Sequence, residues 1–369
     1  MVVYISMTVL TLIFSYIFTH NKKTLETNKS LNLEIWTVLI VWILVYSLRY
    51  MTGTDFGGYL RSFNLATNES YSSYIANTRD VAFYSLTFFL NKLFNGNFVL
   101  YEAVLAILSY LPVLLVCHKE SEDYTFSVLL FIFIMNFYNP FNGVRQGIAV
   151  SLLFYAHYIL FKRKKYIKYV IVVLIAFGFH STVLFVIPFF LLSNLKINNK
   201  FLWVIIGVIT ASYFAIGSLW GNIVKLFEAT GQEKLANDYA SITLEGSSFT
   251  RFLVAILPVA LSLVFYRKLK ESREDIDGDI ILCLFSAIFM MFSMKTWIFA
   301  RIAYYFSSAS IILIPKIPHM FNKDKNKYFV AVAIVVLYFT YMTALLLHGE
   351  GNYLPYTFIT DMDEVRNFR

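Results

Sequence analysis

The residues that could do chemistry in this chain are arginine and histidine set inside apolar sequence. Arg145 follows the break NPFNG and opens the run VRQGIAVSLLFY, and His180 sits in FGFHS at the far end of a second apolar run. An arginine in the first turn of a helix aims its planar fork of donors, together with unpaired backbone amides, at an anion. A histidine in apolar surroundings can accept or release a proton near neutral pH. Both placements are costly in lipid. The plain alternatives are a snorkelling interfacial arginine and a histidine satisfied for structural reasons. A basic cluster at 162–165 closes the Arg145 run and fixes its orientation. Counted from the end of the basic loop, His180 lies about 11 residues, or roughly 16 Å, along a helix. That depth predicts an imidazole near the middle of a hydrocarbon core about 30 Å thick.

Two further constellations share this character. RYMTGTDFGGY at 49–59 holds Arg49, Asp55 in a glycine-rich turn that can bring backbone amides near a ligand, and Tyr59. KTWIFARIAYYF at 295–306 places Arg301 at the mouth of a span, with Tyr304 and Tyr305 one turn further on the same face. Glu102 and Glu350 are weaker acid or base candidates, each readable as interfacial. Cys117 and Cys283 both lie within apolar runs, which reads as two buried core thiols and not a disulfide or metal pair. No phosphate-cradling nucleotide loop and no His/Cys spacing suited to a metal occurs.

The elements that must position these residues are membrane helices. Of 369 residues, 58% are hydrophobic, 18% aromatic and 15% charged, with mean hydropathy +0.63. That composition excludes a soluble domain, and apolar runs of about 15 to 20 residues exclude a barrel of short alternating strands. The expected fold is an all-α polytopic membrane protein forming one integral membrane domain over 1–369. About ten full spans are expected, at 2–18, 33–48, 98–117, 124–138, 147–161, 201–220, 252–266, 279–292, 302–314 and 328–347. The first lacks a basic leader and a small-residue cleavage site, so it reads as a retained span.

Two apolar segments, 81–94 and 169–192, are resolved by charge. If neither makes a net crossing, every lysine-rich loop falls on the cytoplasmic side and both termini lie outside. The first then reads as an interfacial or partial helix, and the second as a re-entrant pair of short helices turning near His180 and Ser181. The net charge of +8 sits mostly at helix ends, so it speaks for topology and not for nucleic acid.

Under this topology the cytoplasmic side carries 16 Lys and 3 Arg, and the outer side 8 Arg and 4 Lys. Arginine offers a bidentate fork to phosphate where lysine is a point charge. The outer enrichment therefore predicts a phosphate-bearing ligand there. The long outer segments 51–80, 221–251 and 349–369, with stretches such as YSSYIANTRD and GEGNYLPYTF, combine aromatic faces with amides and hydroxyls that suit sugars. An interfacial aromatic belt gives the same composition without a ligand.

GTD after the second span, then VRQGIA before a basic loop, then FGFHST, then ARIAYYF followed by a proline, resembles the EpsG-like branch of bacterial Wzy-type polysaccharide polymerases. The resemblance runs from about 49 to 315. It implies a GT-C-like enzyme of the bacterial inner (cytoplasmic) membrane, needing no metal or other cofactor, that joins polyprenyl diphosphate-linked repeat units on the periplasmic face. Donor and acceptor would both be lipid-linked oligosaccharides, and a chain-length regulator protein is a further implied partner beside membrane lipid. Arg145, Gln146, His180 and Arg301 fall on the family's motifs, as does Asp55 in GTD. On that footing Arg145 and Arg301, with Gln146 and Arg49, would hold the diphosphate. His180 or Asp55 would take the proton of the attacking hydroxyl, and Tyr59, Tyr304 and Tyr305 would face sugar. The chain departs from larger O-antigen polymerases and ligases in lacking one very long periplasmic loop. Whether the product is O-antigen, capsule or exopolysaccharide stays open.

Other classes fit less well. A membrane O-acyltransferase of surface glycans would gather its polar residues on the cytoplasmic face, and a lipid-linked oligosaccharide flippase would show two related halves. A noncatalytic scaffold leaves the arginine partition without a cause.

Overall fold

A computed structural model describes residues 1–20, 32–76, 78, 80–198, 207, 246–272 and 275–368. The described chain is helical apart from one two-residue pairing, as expected for apolar segments that must satisfy their own backbone groups in lipid. Among the described residues, six helices are long and apolar enough to cross a membrane: Val2–Thr19, Phe98–Glu120, Val144–Phe161, Ile276–Ser293, Ile298–Met320 and Asp324–Leu347. All six fall on expected spans. The expected span at 252–266 is a helix pair, Phe249–Val264 and Tyr266–Ser272, bent by 77°. The expected span at 201–220 lies outside the described residues. Those at 33–48 and 124–138 form shorter helices, Leu33–Ser47 and Tyr124–Phe133. The second stops early because Met135 takes φ +70° and Pro140 follows. By contacts the chain groups into two compact units, Met1–Phe185 with Phe321–Arg369, and Val186–Met320.

In the first unit the helices before residue 185 are α1 (Val2–His20), α2 (Leu33–Ser47), α3 (Phe56–Asn68), α4 (Tyr71–Ile75), α5 (Val81–Leu93), α6 (Phe98–Glu120), α7 (Tyr124–Phe133), α8 (Asn139–Asn142), α9 (Val144–Tyr155) and α10 (Tyr166–Phe179), and Asp324–Leu347 and Met362–Asn367 join them from the C-terminal segment. α9 continues as a π-helix over Ala156–Phe161. Ion pairs at both ends of α2 and α6 fix them antiparallel: Arg49 Nη1 lies 2.6 Å from Glu102 Oε2, and His118 Nδ1 3.0 Å from Glu34 Oε1. Arg163 pairs with Glu120 at 2.8 Å, placing the end of the α9 helix beside the end of α6. The bundle thus has one end carrying Arg49, Glu102 and the start of α9, and another carrying Glu34, His118 and the basic 162–165 turn. Between them the core is aromatic. Trp42 stacks on Phe131 with ring centroids 5.4 Å apart, and Tyr110 on Phe137 at 5.0 Å.

The segment at 349–358 closes the Arg49 end. β1 (Arg49–Tyr50) pairs antiparallel with β2 (Thr357–Phe358), and Asn142 joins the two neighbouring turns by accepting from Thr54 N at 2.7 Å and donating to the Gly351 carbonyl at 2.9 Å. Gly53, at φ +100°, sits where a Cβ would come within 2.6 Å of Asn142 Oδ1, so GTD and NPFNG interlock only with glycine there. Gly147 plays the same part inside α9: a Cβ would stand 2.8 Å from Pro140 Cγ.

α5 starts at Asp80, which meets Arg145 at the start of α9, and returns through 94–97 to the start of α6. Both its ends therefore lie at the same end of the bundle. α10 leads from the basic turn to His180, where the backbone turns extended (φ −157°, ψ 119°) before the helix Val183–Leu192 begins. The break falls where the sequence places it.

In the second unit, Ile276–Ser293 packs against Ile298–Ser307 through Phe285, Phe289 and Phe306. Lys316 and Asp279, both buried, pair at 3.3 Å, and Lys316 also donates to the Ile312 carbonyl at 2.7 Å.

The two bundle ends give an expected result. Cysteines introduced singly at Lys164 and at Asp363, both exposed, should label with a membrane-impermeant thiol reagent from opposite sides of the membrane. Native Cys117 and Cys283 are buried and give little background. Labelling of both positions from one side would overturn the end-to-end orientation of the bundle.

Candidate functional site

Asp80 is the residue around which the first unit's polar groups gather. It caps α5 in sequence but makes no capping bond with its side chain, and its carboxylate is turned elsewhere. Arg145 Nη1 donates to Asp80 Oδ2 at 2.7 Å, and His180 Nδ1 lies 3.7 Å from the same oxygen. The backbone amide of Ser181, in the break after His180, also reaches the carboxylate. The carboxylate is 5% exposed, the imidazole 20% and the guanidinium 35%, so the arginine presents the open side of the cluster. Tyr59 and Tyr84 flank it. Tyr59 is within electrostatic reach of both Arg145 and Asp55, and the Tyr84 ring centre is 5.9 Å from the Arg145 Cζ.

Burial alone would raise the Asp80 carboxyl, but contacts from His180, Arg145 and the Ser181 amide outweigh it and hold the group below its ordinary value of about 3.9. The stabilisation from this ionised carboxylate is complete above that ordinary value and is lost only as pH falls through the lower folded one. Near neutrality Asp80 is an anion and a weak base. It suits holding its neighbours better than moving a proton. His180 Nδ1 is buried and has no hydrogen-bond partner, and 3.7 Å is just beyond a direct bond. Such a contact commonly tightens when a ligand arrives.

This carboxylate–guanidinium–imidazole cluster lies inside the part of the chain that the sequence model of the EpsG family matches, residues 32–358. The chain belongs to the EpsG family. EpsG proteins are a Wzy-like, polysaccharide polymerase-type family of membrane proteins. No curated protein and no solved structure matches the chain.

Within this EpsG-family chain the expected site residues separate. Asp55, Tyr59, Arg145 and His180 come together at one end of the first unit. α10 begins at Tyr166, and its 14 residues span about 21 Å from the basic turn. That carries the imidazole to the level of Arg145. Gln146 follows Arg145 in the chain but is buried at 8% exposure.

Arg49 is enclosed. It is 1% exposed, paired with Glu102, donates to the Tyr46 carbonyl, and lies 3.8 Å over the Tyr46 ring and 4.6 Å over that of Phe141. Its charge is committed to holding α2, α6 and α8 together. Arg301, Tyr304 and Tyr305 belong to the second unit. Arg301 is exposed over Trp297 at 4.7 Å, whereas Tyr304 and Tyr305 are buried and offer no open ring face.

Nothing in its local sequence, TRD before an apolar segment, singles Asp80 out. The available signal was its position: an acidic residue entering a segment read as interfacial or partial stays at the arginine-bearing end. Glu102, read as merely interfacial, is half of a buried pair. Replacing it with alanine should leave the Arg49 guanidinium buried without its counter-charge and cost about 3–5 kcal/mol, seen as a large fall in melting temperature in detergent. A melting temperature close to that of the unaltered protein would show that the ring contacts alone hold Arg49.

Proposed function

We propose that the chain is a polysaccharide polymerase that transfers a polyprenyl diphosphate-linked glycan to a hydroxyl of a lipid-linked repeat unit on the periplasmic face of the inner membrane. The observation that carries this reading is one buried carboxylate holding an outward-facing guanidinium and an imidazole at the same end of a membrane bundle. The diphosphate is already the leaving group, so no nucleotide site is needed. As the sugar–oxygen bond breaks, negative charge grows on the diphosphate, and Arg145 meets it with oriented, partly desolvated donors. Arg301, exposed on its own unit, is proposed for the same kind of contact.

His180 accepts the proton of the attacking hydroxyl, with Asp80 fixing its ring through Nδ1 and the Ser181 amide fixing the turn. Asp55, on the α3 turn beside Tyr59, is the second candidate for that proton. A single displacement inverts the anomeric centre. Guanidinium groups serve where other enzymes use a divalent cation, so polymer formation should persist in chelator. The topology proposed with this function has 162–168 and 316–327 in the cytoplasm, both termini outside, and 169–192 re-entrant.

The test is a strain in which this chain is the sole polymerase. On deletion, a gel of surface glycan showing single repeats assigns polymerisation, and loss of every repeat assigns flipping. Unchanged long chains would remove the proposal.

A further inference from the structure

α3 and α5 run side by side in the same direction. Tyr59 meets Phe83 near the Arg145 end, with ring centroids 5.7 Å apart, and further along Asn91 Nδ2 donates to the Phe63 carbonyl at 2.8 Å. Where the two helices finish, a cleft of about 1070 Å³ opens, its wall including Arg61, Asn64, Asn91, Lys92, Asn95 and Arg366. It lies about 18 Å along α5 from Asp80, and about 14 Å along α3 from Tyr59.

The wall is a constructed one. Asn64 Nδ2 donates to the carbonyls of Val365 and Phe368 at 2.9 and 3.0 Å, tying the helix Met362–Asn367 across the cleft. Lys92 Nζ donates to the Thr67 carbonyl at 2.8 Å, which holds its charge at the rim. Asn95 and Gly96 turn the chain with positive φ between α5 and α6.

We propose that this cleft binds an acidic glycan, the polymer leaving the Arg145 site, an inference that rests on the polymerase reading above. Asn64 and Asn91 spend their amide donors within the wall, but the exposed Asn68 and Asn95 both donate and accept, which matches sugar hydroxyls, whereas a phosphate alone would call only for donors. Arg61, Lys92 and Arg366 line the cleft with one carboxylate, Glu69, and Arg366 also lies 3.8 Å from Asp363; the wall keeps an excess of positive charge, which suits a ligand carrying negative charge. Phe368 and Leu65 supply apolar surface for ring faces. The volume exceeds what a single small molecule occupies and suits several linked sugars. Because α3 and α5 both start at the Arg145 cluster and end at the cleft, a chain lying along them passes from one to the other.

The test uses purified full-length protein in detergent, with a hexamer of galacturonic acid and a neutral glucose hexamer as probes. Unaltered protein should bind the acidic hexamer at least 10-fold more tightly than the neutral one. The double substitution Arg61→Gln/Lys92→Gln should weaken that binding 10-fold or more, while Arg145→Lys leaves it unchanged. In a polymerisation assay the same double variant should join its first repeats at the normal rate yet yield shorter chains. If the unaltered protein polymerises but shows no preference for the acidic hexamer, or the double variant binds and elongates normally, the cleft proposal is overturned and the polymerase reading stands. If hexamer binding behaves as expected and no polymer forms, the polymerase reading falls and the glycan cleft survives it. Binding of a short-chain phosphatidylglycerol through Arg61 and Lys92, with none of the hexamer, would assign the cleft to a lipid headgroup and overturn the proposal.

Discussion

Arg145→Lys should cut the rate of glycosidic bond formation by about 10²-fold or more while the protein stays folded. The loss comes from geometry, because the charge is kept. Arg145 spends one terminal nitrogen on Asp80 at 2.7 Å and also contacts Tyr59, while its side chain stays 35% exposed, so the donors left over on the planar fork can meet an anion. A lysine has one ammonium; held by Asp80, it cannot also present a planar pair of donors to a diphosphate. Losing one oriented donor to a developing anion costs roughly 10²- to 10³-fold. The pair with Asp80 can re-form with lysine, so the melting temperature should barely move. A lysine variant with the normal rate of linkage would make Arg145 a snorkelling anchor, and the diphosphate assignment would fall with it.

His180→Gln and His180→Asn should both fold normally and lose roughly 10²- to 10⁴-fold in turnover, the range that general-base catalysis supplies. Glutamine and asparagine keep polar side chains but accept no proton near neutral pH. The structural alternative is weakened by the ring's own surroundings. Its Nδ1 makes only a 3.7 Å contact to Asp80, too long for a direct hydrogen bond, so little support for the fold is lost there on substitution. A structural histidine would show the reverse pattern, with a lower melting temperature and near-normal turnover of the protein that remains folded. Turnover and melting measured on the same purified variant distinguish the two, and a fully active His180→Gln enzyme would pass the proton-transfer role to Asp55.

Much of this arrangement was legible from the chain because lipid restricts what apolar sequence can do. Runs such as 98–117 and 328–347 had to be helices, and the break at His180 followed from a segment that could not cross without stranding lysine-rich loops on opposite sides. Arg145 was legible because Pro140 and Gly143 mark the helix start beside it. Pairing was not legible. Nothing in the local sequence of Asp80 shows that its carboxylate turns away from its own helix, 65 residues before Arg145. Nor does the spacing of Arg49 and Glu102 reveal that they neutralise each other in the core. RYMTGTD read as an outward arginine because its neighbours Thr, Gly and Asp are polar. Three aromatic rings nevertheless enclose the guanidinium, a tertiary effect. The burial of Tyr304 and Tyr305 was not legible for a related reason, since helical spacing shows which residues are neighbours but not which side meets the interior.

The account depends most on Asp80, which unites an arginine and a histidine that the sequence offers separately. Asp80→Asn keeps the shape and removes the charge that holds Arg145 and attracts the His180 ring. The decisive measurement is the initial rate of joining of two lipid-linked repeat units by purified, folded Asp80→Asn protein. Displacing reacting groups by about 1 Å can cost 10²-fold, and here both the anion-binding and proton-accepting groups lose their anchor, so the expected fall is of that size or larger. A folded Asp80→Asn protein that joins repeats at the unaltered rate would contradict the account, because Arg145 and His180 would then need no common carboxylate.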